Sequence, residues 1–246
     1  MKEIAVISGA GTGIGQALSW QLAGKYGMNV LGFGRRAQTL RITRDKFPDK
    51  IRYVVADISR ATDRHALLQA LGKEERVKFL VHNAAVLEPV KRLTDITLDE
   101  WREHMAINVE GPLFLTKLLL PRLDQSRVLH ISSGAARHAY TGWGAYCTSK
   151  AALHMIYQVW KKEMEGRKVI FGSARPGIVD TPMQDKVRQA DESVFAEKER
   201  FARMKEQGQL LKPETVADFL SYLLLETNDE QFSGKEWDIR DTEFGH

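Results

Sequence analysis

Short apolar runs alternate along the chain with longer stretches in which apolar residues recur every three to four positions. The short runs predict strands and the longer stretches predict amphipathic helices. The predicted strands are Ile4–Ser8, Asn29–Phe33, Ile51–Ala56, Phe79–Asn83, Arg127–Ser132, Val169–Ala174 and Lys235–Ile239. The predicted helices are Gly15–Tyr26, Ala61–Leu71, Leu98–Leu120, Ala145–Glu165 and Pro213–Leu225. This alternation predicts a single α/β domain over residues 1–246, a Rossmann-type, doubly wound parallel sheet flanked by helices.

One connection, from Thr181 to Leu211, is too long to be a simple loop. Long loops in compact domains are commonly lids or binding loops, so residues 181–211 predict a helical substrate lid. Its apolar residues could line a pocket together with Leu87, Tyr140 and Trp143. The alternative is that they pack the lid onto the body. These lid residues are Met183, Val187, Val194, Phe195, Phe201 and Met204.

Composition excludes several classes of protein. With 246 residues, 43% of them hydrophobic, the chain can bury the core of one domain. No apolar run approaches the roughly 18 residues of a membrane span. The net charge is +4, but lysines and arginines are interspersed with acidic residues. A membrane or nucleic-acid partner is therefore not expected.

Cysteine and histidine usage argues against a metal site. Cys147 is the only cysteine, so no intrachain disulfide and no cysteine-based metal cluster can form, and the thiol is interpreted as packed rather than nucleophilic. The histidines lack metal-ligand spacing.

The first apolar run, Ile4–Ile7, is too short for a signal-peptide core. The expected location is the reducing cytoplasm.

A glycine-rich turn follows the first predicted strand. Gly9, Gly13 and Gly15 satisfy the pattern G-x-x-x-G-x-G, with Ile14 inside it. Glycine permits a sharp turn and a close backbone approach to a pyrophosphate, whose charge the amides at a helix N-terminus can meet. Between a first strand and a first helix, this loop predicts a dinucleotide site.

The end of the second strand indicates which dinucleotide. Folds that bind NAD usually place an acidic residue there, but none occurs between Gly27 and Leu40. Arg35 and Arg36 stand there instead, where a 2′-phosphate would lie. Charge-assisted hydrogen bonds of about 1.5–3 kcal/mol each predict a roughly tenfold to hundredfold preference for NADP(H). The alternative is a solvent-facing arginine pair.

Three polar residues in fixed register predict the chemistry. Tyr146 stands thirteen positions after Ser133, and Lys150 four positions further, one helical turn away. Unit charges about 4 Å apart attract by about 4 kcal/mol at an effective dielectric constant of about 20, so we expect the ammonium to lower the phenol pKa by roughly two units. Such a phenol can donate a proton to a carbonyl oxygen while hydride reaches the carbon. Tyr157 and Lys161 share the spacing but lack the upstream serine, and are interpreted as core and solvated face.

Together these motifs resemble the short-chain dehydrogenase/reductase family over essentially the whole chain. Four further segments match its pattern: Asp57 with Ile58, Asn83-Ala84, Asn108, and Pro176-Gly177. Two small departures are Ser8 in place of the usual threonine and His82-Asn83-Ala84-Ala85 in place of Asn-Asn-Ala-Gly.

The resemblance implies a role for each matched position in binding the cofactor. Asp57, with Ile58 beside it, contacts the adenine, and Asn83 with Ala84 braces the sheet. Pro176-Gly177 and then Ile178 with Thr181 meet the nicotinamide end.

The resemblance also implies the catalytic roles. Tyr146 is the general acid, Ser133 polarises the substrate oxygen, and Asn108 supports a water path to Lys150. Lys150 lowers the phenol pKa and hydrogen-bonds the nicotinamide ribose. Ser132 is the neighbouring alternative for the serine role, but the thirteen-residue spacing selects Ser133.

A narrower resemblance is to the sepiapterin reductase and benzil reductase branch. It rests on three segments, 142–147, 176–184 and 233–238. The branch implies compact dicarbonyls, pterin side-chain ketones or aromatic diketones as substrates. Trp143 and Met183, from the predicted apolar pocket, are expected to contact substrate beside Ser133. The branch adds Asp238 as a possible pterin anchor, although Asp238 could equally be a turn residue.

The expected function is NADPH-dependent reduction of a ketone, with a diketone or an aromatic or pterin-type carbonyl compound as substrate. The alternatives are a 3-oxoacyl-thioester reductase, a general alcohol dehydrogenase, and a non-catalytic NADP-binding regulator. The resemblance also implies a homodimer or homotetramer. Substrate identity, stereochemistry, direction in the cell and the choice between dimer and tetramer stay open.

Overall fold

The computed structural model describes residues 2–241, so the ends of the predicted domain, residue 1 and residues 242–246, lie outside the described part. Seven strands form one parallel sheet in the order β3-β2-β1-β4-β5-β6-β7. The strands are β1 (Lys2–Ser8), β2 (Asn29–Gly34), β3 (Ile51–Val55), β4 (Glu75–His82), β5 (Ser126–Ile131), β6 (Val169–Arg175) and β7 (Glu236–Asp238).

Ten α-helices connect or follow these strands within the described residues. They are α1 (Gly13–Gly24), α2 (Ala37–Asp45), α3 (Ala61–Ala70), α4 (Leu98–Met105), α5 (Gly111–Leu119), α6 (Gly144–Glu163), α7 (Pro182–Gln189), α8 (Lys198–Glu206), α9 (Pro213–Leu225) and α10 (Asp229–Gly234). The order of strands and helices is the predicted doubly wound one, and the chain is one Rossmann-like α/β domain.

Both faces of the sheet are buried because side chains of a strand alternate between them. In β1, Ala5 and Ile7 belong to one apolar cluster, which includes side chains of α1 and α9. Ile4 and Val6 belong to the other, which includes side chains of α5 and α6. All four β1 side chains are at most 1% exposed. This double burial explains why the strands are short, continuous apolar runs in the sequence.

The predicted strands are all present, with ends that differ by a few residues, but two helices were not predicted. Helix α2 is nine residues long and buries only Leu40 and Thr43. Helix α10 is six residues long and buries only Phe232. Elements this short leave a weak apolar period.

The prediction of one continuous helix over Leu98–Leu120 is wrong. Helix α4 spans Leu98–Met105, and the preceding Thr97 forms a capping box with Glu100. A π-helical turn spans Ala106–Glu110, and the Gly111 amide donates to the carbonyl of Ala106. Because proline has no N–H, Pro112 cannot donate to the carbonyl of Asn108 as an α-helix would require. The widened turn therefore precedes α5, and a 3₁₀ turn ends the segment.

The 181–211 segment is helical, as predicted, and consists of α7 and α8 with their connections. Polar contacts with the body include Arg92 donating to the carbonyl of Ser193 (2.9 Å), Lys186 pairing with Glu88 (3.2 Å) and Lys205 pairing with Asp180 (2.7 Å). Between residues 2 and 241, no helix is both long and apolar enough to cross a lipid bilayer.

Candidate active site

The glycine-rich loop lies at the carboxyl end of β1 and is braced from β4. Gly9 and Gly13 have φ angles of +67° and +57°, a region that disfavours residues with a Cβ. Asn83 donates its side-chain amide to the carbonyls of Ser8 (2.9 Å) and Gly9 (3.3 Å). A Cβ on Gly9 would lie 2.9 Å from that amide and 3.0 Å from Cα of Ala84. The loop therefore requires glycine, and Asn83 holds it in place.

The loop leads into an open helix N-terminus. Thr12 makes no side-chain cap on α1, and the first turn contains no acidic residue. A Cβ on Gly15 would lie 2.4 Å from the carbonyl of Gly9, so the loop closes tightly on the first turn, in which Ile14 is partly buried. Uncapped amides of a first turn attract anionic groups. The cradle therefore fits a dinucleotide pyrophosphate.

Arg35 and Arg36 lie exposed at the carboxyl end of β2, beside the glycine loop. A guanidinium nitrogen of Arg36 donates to the Thr12 hydroxyl at 3.3 Å. Arg35 is close enough to Asp57, at the end of β3, for its charge to help lower the pKa of that carboxyl group. Burial is the largest single influence and raises the pKa of this carboxyl group, but the hydrogen bonds from Ser59 together with the charges of Arg35 and Arg60 lower it overall. The predicted adenosine-end residues thus gather at one edge of the sheet.

The other predicted cofactor contacts follow β3 and β6. Ile58 is buried against Gly111, where an added Cβ would come within 2.8 Å of it. Gly177, which follows Pro176, has a φ of +74°. Thr181 lies against Gly13, where an added Cβ would come within 2.9 Å of its methyl group. Ile178 packs against the aromatic cluster described below. The start of the lid therefore lies against the glycine loop.

Ser133, Tyr146 and Lys150 come together at the carboxyl end of β5 and the first turns of α6. Tyr146 and Lys150 are 7% and 3% exposed, and the Lys150 ammonium lies 5.7 Å from the centre of the Tyr146 ring. Lys150 donates to the carbonyl of Ile131 at 2.8 Å. The Ser133 hydroxyl interacts with the Tyr146 phenol and also accepts the amide of Ala135, capping a 3₁₀ turn over Gly134–Ala136. The Ser133 hydroxyl therefore caps this turn and also lies at the Tyr146 phenol.

The prediction that the Lys150 ammonium lowers the pKa of the Tyr146 phenol is wrong for the protein chain by itself. Burial raises the pKa of Tyr146 to about 12, and the hydrogen bond with Ser133 opposes only part of this rise. Burial also lowers the pKa of Lys150 to about 8. Desolvation disfavours the charged form of both groups, which moves their pKa values in opposite directions. Near neutral pH the phenol is protonated and the amine is mostly charged.

Asn108 lies in the π turn and fixes the loop after β4. Its side chain accepts the amide of Val86 and donates to the carbonyl of Val86, both at 2.9 Å. Two residues that were not predicted surround it: His104 at 2.8 Å and Ser149 at 3.1 Å. His104 carries no recognisable motif, and only the fold shows that it meets Asn108 and Ser149.

An apolar cluster joins the lid to Tyr146. The Trp143 ring stacks on Phe195 with centroids 4.7 Å apart and contacts the Tyr146 ring edge-on at 5.7 Å. Phe195 and Phe201 are 0% and 4% exposed, so they pack the lid onto the body, the alternative stated for them. The other members are Leu87, Ala135, Val187 and Ala190, with Val90, Tyr140, Cys147, Ile178 and Met183 packed against them.

Trp143 thus borders Tyr146 and Met183 packs against the same cluster, whereas the carboxylate of Asp238 is bound by neighbouring arginines. Asp238 accepts the amide and the guanidinium of Arg240 and pairs with Arg175 at 3.2 Å. The hydrogen bonds from Arg240 hold the pKa of this carboxyl group at about 2, although burial opposes them. This arrangement is that of the turn residue considered for Asp238.

The residues discounted from sequence behave as interpreted. Tyr157 is 4% exposed and Lys161 is exposed. Burial raises the pKa of the Cys147 thiol, which disfavours a nucleophilic thiolate. No group of three or more histidine, cysteine or acidic side chains that could hold a metal occurs among residues 2–241.

Comparison with known proteins agrees with this geometry. The sequence pattern of the family described as short chain dehydrogenase matches residues 3–192. The chain is 32% identical to benzil reductase ((S)-benzoin forming) of Bacillus subtilis, covering 97% of this chain and 99% of that protein. It is 31% identical to a Bacillus cereus protein of the same name, covering 89% and 92% of the two chains.

Solved structures give the same result. A short chain dehydrogenase/reductase from Saccharomyces cerevisiae superposes with a TM-score of 0.89 at 29% sequence identity, covering 99% of this chain and 98% of that one. The chain therefore belongs to the short-chain dehydrogenase/reductase family and is an oxidoreductase, and the predicted resemblance to this family and its benzil reductase branch is confirmed.

Proposed function

We propose that this short-chain dehydrogenase/reductase is an NADPH-dependent carbonyl reductase whose substrate is a ketone, with an aromatic diketone as the favoured class. The observation that carries the proposal is the convergence of Ser133, Tyr146 and Lys150 beneath an apolar cluster that contains Trp143. A phenol, a hydroxyl and an ammonium that share a dry site have the chemistry needed to bind and protonate a carbonyl oxygen.

The cofactor is proposed to be NADP(H), held by the residues already described. The glycine loop and the open N-terminus of α1 would hold the pyrophosphate, and Arg35 and Arg36 the 2′-phosphate. Asp57 with Ile58 would face the adenine, and the segment from Pro176 to Thr181 the nicotinamide. When bound, the reduced nicotinamide supplies a hydride for the carbonyl carbon.

The protein chain supplies the proton. Ser133 donates a hydrogen bond to the carbonyl oxygen, and Tyr146 transfers its phenolic proton to that oxygen as the alcohol forms. The phenolate left on Tyr146 is stabilised by the Lys150 ammonium close to its ring. Because burial keeps the phenol protonated, Tyr146 begins the cycle in the form that reduction requires. Asn108 is proposed to support the water path that returns a proton through Lys150.

Substrate choice is proposed to follow from the apolar cluster and the lid over residues 181–211. Trp143, 6% exposed, lies against the reacting phenol, and its indole N–H has no hydrogen-bond partner among the described residues. That N–H is a candidate donor to the second oxygen of a diketone. Met183 is proposed to contact an aromatic ring. Two proteins at about 30% identity that are named benzil reductase support this substrate class.

A pterin is the less favoured substrate because of Asp238. Anchoring a pterin requires a carboxylate with free acceptor positions, but Asp238 is bound by Arg240 and Arg175. Reduction of 3-oxoacyl thioesters or of general alcohols and ketones stays the enzymatic alternative. The alternative of another class is a regulator that binds NADP without turnover.

The protein is proposed to act as a homodimer or homotetramer in the cytoplasm, a compartment consistent with its single cysteine. On α5 and α6, Phe114, Met155 and Val159 are 41%, 56% and 45% exposed. Both helices pack on the same face of the sheet, and exposed apolar residues there are the candidate subunit interface.

The test follows cofactor oxidation with benzil, sepiapterin and acetoacetyl thioester, using NADPH and NADH, for wild type and Tyr146→Phe. We expect NADPH-dependent turnover of benzil that the variant loses while it still binds NADPH. Tyr157→Phe is the matched control because Tyr157 has the same spacing to a lysine but lies in the core. Thioester turnover without diketone turnover would select the first alternative, and NADPH binding without any turnover would select the regulator.

A further inference from the structure

His104 is a buried imidazole in the last turn of α4 that joins three separate parts of the site. The side chain is 1% exposed. Its Nδ1 lies 2.8 Å from the carbonyl oxygen of Glu88, in the loop after β4. Its Nε2 lies 2.8 Å from the Asn108 amide in the π turn and 3.0 Å from the Ser149 hydroxyl on α6.

These partners determine which ring nitrogen carries the proton. A carbonyl oxygen can only accept, so Nδ1 donates to Glu88 and carries the hydrogen. The Asn108 amide is oriented independently, because its oxygen accepts from Val86 and its nitrogen donates to Val86. The remaining N–H of that amide faces the imidazole, so Nε2 must be an acceptor. The ring is therefore neutral, in the Nδ1–H form.

Ser149 extends the arrangement to the helix that carries the chemistry. Its hydroxyl is 2.9 Å from the carbonyl of Tyr146 and 3.1 Å from the Asn108 amide, and Lys150 is the next residue. The His104 ring also meets the Tyr146 ring edge-on, with centroids 6.4 Å apart. One imidazole thus connects the π turn, the loop after β4 and the first turns of α6.

We propose that His104 is a positioning residue for carbonyl reduction: as a neutral Nδ1–H imidazole it holds Asn108 and Ser149, and through them the π turn against Tyr146 and Lys150. The inference rests on the proposed function for its catalytic consequence. Its structural part, the tautomer and the contacts it makes, does not depend on that function.

Protonation of the ring would break this arrangement. A second N–H, on Nε2, would point at the N–H of Asn108, two donors facing each other. Burial lowers the pKa of His104, the nearby Lys150 charge lowers it further, and the bond to Glu88 opposes them. The groups that face the ring are Tyr146 and Lys150 on α6 and the backbone of Glu88, whose carboxylate is on the surface with Lys186. The ring should stay neutral at pH 6.5 and lose its function at a lower pH.

Two substitutions separate the two contacts of the ring. The amide of H104N occupies the position of Nδ1 and keeps the bond to Glu88 but cannot reach Asn108. The longer side chain of H104Q can place its carbonyl oxygen near the position of Nε2. The matched control is H65N, because His65 also has Nδ1 near a backbone carbonyl, that of Ala61, but lies exposed on α3.

The experiment combines a cofactor-free measurement with kinetics. Long-range ¹H–¹⁵N NMR on the wild type, with His104 assigned by its absence in H104N, should show a neutral Nδ1–H ring at pH 6.5. In benzil reduction, kcat of H104N should fall about tenfold to hundredfold, with the Kd for NADPH within about twofold of wild type. H104Q should recover much of the lost kcat. Its kcat should also lack the fall at low pH that wild type shows.

Each outcome decides the inference. An Nε2–H tautomer, or a charged ring at pH 6.5, would overturn it even if both variants are inactive, since the ring is observed in the wild type and a variant serves only to assign its signals. An H104N with wild-type kcat, or an acid limb unchanged in H104Q, would also overturn it. If wild type reduces no ketone, the proposed function fails and with it the catalytic role of His104, while the NMR result still tests the contacts.

Discussion

Replacing His82 with glutamine should change how stability depends on pH. His82 ends β4 and is 2% exposed, with Nε2 2.7 Å from the Thr116 hydroxyl. The ring of His130, on the neighbouring strand, lies 4.9 Å away between centroids. Burial lowers the pKa of His82 to about 3 and holds the pKa of His130 well below 6.5. The folded protein therefore keeps both rings neutral at pH values where an unfolded chain protonates them.

The sign and size follow from this pKa difference. A folded pKa below the unfolded value of 6.5 means that the unfolded chain binds more protons as pH falls, so stability is full above pH 6.5 and declines toward pH 3. The decline is about 1.4 kcal/mol of unfolding free energy per pH unit for one ring. With a folded pKa of about 3, His82 accounts for about 2 kcal/mol between pH 7.5 and pH 5.0. Glutamine keeps a polar group near Thr116 and does not titrate.

The assay is urea unfolding of wild type and His82→Gln at several pH values from 7.5 to 5.0. The variant should be less stable at pH 7.5 because its fit is poorer, but its stability should fall by about 2 kcal/mol less than that of wild type on reaching pH 5.0. His65→Gln, at an exposed position on α3, should follow wild type throughout. Parallel curves for wild type and His82→Gln would show that His82 does not bind more protons in the unfolded than in the folded state, and would refute the reasoning.

Four further results are expected. Arg35→Ala and Arg36→Ala should each weaken NADPH binding about tenfold or more and leave NADH binding unchanged, as titration of cofactor fluorescence would show. Gly13→Ala should destabilise the loop by about 1–2 kcal/mol and weaken NADPH binding, because its φ is +57° and the new Cβ meets Thr181, and calorimetry measures both effects. Turnover should fall above pH 8, as Lys150 with its pKa of about 8 loses its charge, in a pH–rate profile. Met155→Glu should dissociate the proposed oligomer in light scattering, whereas Met155→Leu should not.

Sequence patterns predicted most of the framework because most of its determinants are local. A parallel strand covered on both faces is an unbroken apolar run, and each β1 residue from Ile4 to Ile7 is buried. The motif residues stand at strand ends in the sequence, and the carboxyl ends of parallel strands meet at one edge of the sheet. The pair Tyr146 and Lys150 depends only on helical spacing, and the structure places both in α6. Such features need no knowledge of distant parts of the chain.

Other features could not be predicted because they depend on contacts between distant residues. The π turn after His104 reflects Pro112 together with the packing of Asn108 on Val86. The His104–Ser149 contact joins residues 45 positions apart. Asp238 was ambiguous because its sequence neighbours do not reveal Arg175. In each case the sequence supplies the residue type, and only the fold supplies the partner.

The Tyr146 pKa shows why local spacing was insufficient for the electrostatics. Burial raises this pKa from 10.0 to about 12, an effect of about 3 kcal/mol against the phenolate. A unit charge about 6 Å away at an effective dielectric constant of about 20 contributes about 3 kcal/mol in the opposite direction. In the protein chain by itself this attraction does not offset burial, because the pKa of Tyr146 stays raised. In the proposed reaction it can stabilise the phenolate only while Lys150 is charged, below about pH 8. In the proposed reaction, the charge on Lys150 controls how readily Tyr146 gives up its proton.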